Sequence, residues 1–197
     1  MRYAPLAFVA LLAIGCGSKE KESMAPAAST TAPPNVDTSG FTMTIPSSWV
    51  PIDLEKMDAA AVKAKLKGTQ FEVRAADMEK MRSMVNFFAF DADNSKPGVF
   101  ANINVVSMPA NASVEQIIEA NIKQMKSMDP TAEEVKGLTT LPNSAALTYT
   151  MMGMDMIAVL AVQGGKQHVI TYSAPKGTDK EKMKSILGPI ADSFRGK

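Results

Sequence analysis

The stretch Met156-Ile157-Ala158-Val159-Leu160-Ala161-Val162-Gln163-Gly164-Gly165-Lys166-Gln167-His168-Val169-Ile170-Thr171-Tyr172-Ser173-Ala174 decides the fold. Its first half is apolar at odd and even positions alike, the pattern of a strand covered on both faces. Gly164-Gly165 is a two-residue turn signal, because hairpin turns of this length require positive φ. Lys166 to Ala174 then runs back beside the first strand. Such a hairpin is antiparallel, and covering both of its faces requires further layers.

Working outward, Ser144 to Met152 reads as a third strand, joined to Met156 by a turn at Gly153-Met154-Asp155. Glu133 to Leu141 is weakly apolar and belongs at the periphery. Val85 to Asp91 and Val99 to Ser107 form another hairpin around the polar turn at 91–98. Phe41, Met43 and Ile45 alternate with Thr42 and Thr44, a half-buried strand. Trp49 to Ile52 pairs locally, with Pro51 confining it to an edge or bend.

Four segments have helical period. Residues 53–84 read as two short helices parted by Gly68, or as one bent helix. Leu54, Met57, Ala61, Ala64 and Leu66 share the first apolar face. Thr69 caps the second part, which carries Phe71, Val73, Met78, Met81 and Met84. Ser113 and Gln116 form a capping box before the apolar face that runs from Ile117 to Met128. Thr178 and Glu181 repeat that box before a last helix bent at Gly188-Pro189. The sum is an α+β fold, an antiparallel, meander-rich sheet with helices packed on it.

The chain has 197 residues, 46% of them apolar, enough for one sizeable core. Its N-terminal end is different. Arg2 precedes an apolar run from Tyr3 to Ile14, followed by Gly15 and the single cysteine, Cys16. This run is shorter than the roughly 20 residues a membrane span needs. It resembles a bacterial lipoprotein signal, cut before Cys16, with small residues ahead of the cysteine; Ala13 stands where leucine is usual. The competing reading is an ordinary secretory signal cut near Ala25 to Ala28. Lipidation also accounts for a lone cysteine in an exported chain, where a free thiol would be a liability.

The organisation expected is therefore a signal peptide at 1–15, a lipidated Cys16 with a polar, proline-rich tether over 16–39, and one domain over 40–197. If flexible, the tether reaches on the order of 25–30 Å. Two acyl anchors hold firmly. The expected location is the cell membrane, lipid-anchored, in the outer membrane facing the periplasm or cell surface, since Gly17 rather than aspartate follows the cysteine.

The chain has 21 basic and 20 acidic residues, and loss of Arg2 leaves 20 of each. No basic stripe suited to nucleic acid is visible. The chemistry-bearing residues are sparse. His168 is the only histidine, sits in a strand, and has no partner at a recognised spacing. Asp91-Ala92-Asp93-Asn94 starts like a calcium loop but lacks the glycine at the sixth place and the closing glutamate, so it reads as a polar turn. No catalytic residue, metal set or cofactor is expected, and the chain reads as a non-enzyme. Met151, Met152, Met154 and Met156 gather at one turn; thioethers suit Cu(I), although methionine also serves as a core filler. Met152, Met154 and Trp49 are the candidates for an exposed contact patch.

Two stretches carry a resemblance. Gly40 to Trp49 is similar to the opening "GF-x-V-x-x-P-x-x-W" of the PsbP/DcrB-like group, and Leu187 to Arg195 is similar to its "I-x-x-SF" ending. The likeness spans about residues 40–195. The group includes photosystem accessory proteins, a nuclear-import factor that binds a GTPase, and bacterial envelope lipoproteins. It implies a largely non-catalytic module that acts on another protein. The function expected is thus a lipid-anchored envelope accessory protein with a protein partner; the alternative is a carrier of a small apolar ligand, a lipid or Cu(I).

Overall fold

A computed structural model describes residues 33–96 and 98–197. Cys16, the signal segment and most of the tether lie outside the described residues. The strands are β1 (Asn35–Asp37), β2 (Phe41–Thr44), β3 (Val50–Asp53), β4 (Phe87–Phe90), β5 (Asn102–Pro109), β6 (Glu133–Glu134), β7 (Ser144–Met151), β8 (Met154–Gln163), β9 (Lys166–Pro175) and β10 (Arg195–Gly196). The helices are α1 (Ala59–Leu66), α2 (Ala75–Met81), α3 (Val114–Met128) and α4 (Lys180–Ser193).

Seven strands make one sheet in the order β3-β4-β5-β9-β8-β7-β6, and three make a small one, β1-β2-β10. Every pairing is antiparallel. The α+β class and the edge position of the Pro51 strand match the expectation; of the peripheral strand expected over Glu133 to Leu141, only Glu133–Glu134 forms. Ahead of residue 40, Val36 of β1 pairs with Met43 of β2.

The β8–β9 hairpin is the spine. Gln163 pairs with Lys166 across Gly164 and Gly165, both at positive φ. Gly164 has a second reason to be glycine: a Cβ there would lie 2.4 Å from the Lys197 carbonyl oxygen. The chain's end is therefore folded against this turn, and β10 bonds to β2 just beyond it.

The two faces of the large sheet are covered differently. On the front face, α4 and the small sheet bury one continuous core that includes Phe41, Trp49, Ile157, Ile170, Leu187 and Phe194. Gly188 lets α4 approach closely, since a Cβ there would stand 2.9 Å from the Leu138 carbonyl oxygen. On the back face the apolar surface is split. The α1–α2 pair covers Phe88, Phe90 and Phe100 at the β3–β4 side, and α3 covers Leu147, Tyr149, Met156 and Leu160 at the β7–β8 side.

Several helix details depart from the sequence pattern. α1 starts at Ala59 behind an Asp58 cap, so Leu54 is buried in the preceding turn. Its buried face is Val62 and Leu66, while Ala61 and Ala64 face solvent. Gly68 does end α1, but Thr69 bonds to Phe71 ahead of a short 3-10 turn, and Val73 and Met84 are exposed. The Ser113–Gln116 capping box of α3 is present. At α4 the cap is Asp179, not Thr178, whose hydroxyl donates back to Pro175 instead. Pro189 lies inside α4.

Candidate functional site

The residues singled out in the sequence do not assemble into one exposed site. The β7–β8 turn is Met152-Gly153, one residue earlier than expected, with Met151 opposite Met154. Met152 takes φ 52° and is 44% exposed. Met154 is consequently a strand residue turned into the core, 5% exposed. Trp49 is also buried and stacks on Tyr172 with ring centroids 5.8 Å apart. Of the expected patch, Met152 alone is presented to solvent. Cys16 lies outside the described residues.

Asp91 is fully buried and acts as the organiser of its turn. Its Oδ1 accepts from the backbone N–H groups of Asp93 and Asn94, and its Oδ2 accepts from Asn94 Nδ2 and from the Tyr172 hydroxyl at 2.7 Å. Burial first, then the Asp91 charge, push the Tyr172 hydroxyl well above the ordinary phenol range. These bonds engage both carboxylate oxygens within the protein, as a structural turn does.

His168 is buried between Phe41 and Phe194. The Gln163 carbonyl, 3.3 Å from Nε2, only accepts, so Nε2 carries the proton and Nδ1 accepts from the Ser107 hydroxyl at 2.9 Å. Desolvation is the leading cause that holds its pKa below the usual value for histidine. The Ser107–His168 pair resembles part of a hydrolytic dyad in distance alone. Here the second ring nitrogen faces a backbone carbonyl rather than a carboxylate, and the pair stitches β5, β9 and the β8–β9 turn together.

The feature that sequence reading missed is on the back face. Asn102 pairs with Ser173, and Asn104 with Thr171, on the neighbouring strands β5 and β9. All four are buried. One row further out stand apolar partners on both sides: Phe90 and Phe88 on β4, Met156 and Ala158 on β8. A polar seam thus runs between the α1–α2 and α3 layers. Phe100 joins the first apolar cluster and Val99 packs on the second, so the segment before β5 bridges one end of the seam.

The hydrogen bonding of the seam is incomplete. Asn102 Nδ2 donates to the Phe100 carbonyl, and Asn102 Oδ1 has no partner among the described residues. Asn121 on α3 donates from Nδ2 to Ile117 O and to Gln167 on β9, and its Oδ1 is likewise unmatched there. Thr171 hydrogen-bonds the Tyr149 hydroxyl, which burial pushes far above its ordinary pKa. Unmatched buried oxygens ask for a donor, a water or a ligand N–H or O–H. The pattern Asn-Ile-Asn-Val signals alternation, but not that the polar side is covered by helices.

Among the described residues no cluster of histidine, cysteine, aspartate and glutamate suits a metal ion, and no helix is long and apolar enough to cross a membrane. No family model matches the chain, and no curated protein matches it in sequence. Solved structures do. The solution structure of cyanobacterial PsbP (CyanoP) from Synechocystis sp. PCC 6803 has TM-score 0.48 and 12% identity, covering 89% of this chain and 98% of that one. LpqN, involved in cell envelope biogenesis of Mycobacterium tuberculosis, has TM-score 0.47 and 10% identity, covering 84% of this chain and 91% of that one. A Bacteroides thetaiotaomicron structure has TM-score 0.40 and 15% identity, covering 80% of this chain and 45% of that one.

Proposed function

We propose that the protein is a lipid-anchored accessory protein of the bacterial cell envelope, held to the membrane through Cys16 and acting non-catalytically on another envelope protein. The observation that carries this reading is the N-terminal sequence: a short apolar run, small residues, one cysteine, then a polar stretch that leads to β1 at Asn35. The PsbP/DcrB-like resemblance at residues 40–49 and 187–195 supports the accessory role. Engagement of both His168 ring nitrogens by Ser107 and Gln163 supports a structural duty for the single histidine. The anchor sits in the outer membrane in this reading.

Intact mass measurement of the protein from membranes of its host tests the anchor. The expected result is a chain beginning at Cys16 and bearing a diacylglyceryl group. A chain cut elsewhere and free of lipid overturns it. Photo-cross-linking in intact cells tests the partner: one reproducible protein adduct is expected, and none in repeated experiments contradicts the accessory reading.

A further inference from the structure

The α3 end of the back face gathers methionines from three elements. Met151 and Met154 are cross-strand partners beside the two-residue turn, with Cβ atoms about 4.5–5.5 Å apart in such pairs. Met156 is two residues on from Met154 and on the same face. Met125 comes from the last turn of α3. Met125, Met154 and Met156 are buried in one apolar cluster, and Met151 packs against it half-buried. At the rim, Met152 is 44% exposed and Met128 is 42% exposed.

We propose that Met125, Met151, Met154 and Met156 form a thioether site for Cu(I). Thioether sulfur is a soft, neutral ligand that suits Cu(I) and serves Mg, Ca or Mn poorly. The site lies at the C-terminal end of α3, where the helix dipole favours a cation. Asp129, which caps that end, reaches across to accept from the Thr150 N–H at 2.7 Å and fixes α3 over the β7–β8 turn. Half-buried Met151 is the most exposed of the four. The site is independent of the membrane anchor and of any protein partner.

The test is competition for Cu(I) against bicinchoninate under ascorbate. The full chain carries Cys16→Ser, in mild detergent, so that no thiol contributes. One Cu(I) per chain is expected, with sulfur-only coordination by X-ray absorption. M154L with M156L keeps the apolar volume and is expected to weaken binding at least tenfold, while M43L, in the front core, leaves it unchanged. If the double variant unfolds, half-buried M151L alone is read instead, with a loss of several-fold expected. No transfer from bicinchoninate, oxygen or nitrogen ligation, or affinity unchanged in the folded variants overturns the proposal.

Discussion

On the front face of the large sheet each buried polar group highlighted above is matched: Tyr172 to Asp91, and His168 to Ser107 and Gln163. On the back face, Asn102 and Asn121 each keep an unmatched oxygen, and the apolar surface is divided between two helix layers. The difference follows from what covers each face. α4 and the small sheet share one core with the strands beneath them. The α1–α2 pair and α3 each pack on their own edge of the sheet and leave the polar columns of β5 and β9 between them. The front is built for stability; the back carries the unfinished polar seam and the methionine cluster, where binding has something to gain.

The sharpest way to break this comparison is in the front core. Phe194→Ala removes a ring stacked on Phe41 and set edge-on to His168, and a loss of about 3–5 kcal/mol in urea unfolding is expected. Asp91→Ala strands the buried Tyr172 hydroxyl and frees the 91–96 turn; a loss of about 3 kcal/mol is expected. Tyr172→Phe should cost about 1–2 kcal/mol, and the double variant should fall short of the sum, because the two groups share one bond.

A pH series gives a smaller effect. The folded pKa of His168 lies below that of the unfolded chain, about 6.5. The unfolded state therefore binds more protons in the window beneath 6.5, and stability falls as the pH drops through it. Above 6.5 the contribution is fully present. His168→Gln should flatten that segment of the stability curve; a slope that survives in the variant assigns the effect elsewhere.

The smallest effect is expected in the seam. Asn102→Leu deletes the unmatched Oδ1 together with the Nδ2 bond to the Phe100 carbonyl and keeps the branched shape, so a loss of about 1 kcal/mol or less is expected. A loss above about 2 kcal/mol by the same measurement, more than the single Nδ2 bond accounts for, would mean that Oδ1 is also bonded to ordered water and that the two faces are equally complete.

The hairpin spine was legible because Gly164-Gly165 and the doubly apolar β8 agree at every level. The α3 start was legible because Ser113 and Gln116 satisfy backbone donors locally, without help from the rest of the fold. Where neighbouring residues offer the same chemistry, position slipped by one. Asp179 caps α4 as well as Thr178 would have, and a non-glycine at φ 52°, Met152, shifted the β7–β8 turn and carried Met154 from the surface to the core. The separate small sheet was illegible because the alternation of β2 fits either sheet and β10 is two residues long. The seam was illegible because period-2 asparagines read the same whether water or helices lie above them.

Native-state hydrogen exchange of the full chain tests the contrast between the faces most directly. Amides of β8, β9 and α4 should exchange only through global unfolding, while those of α1 and α2 should open at a distinctly lower free energy, as a separate unit. Equal protection across α1, α2 and α4 would contradict the account and make the domain one cooperative body on both faces.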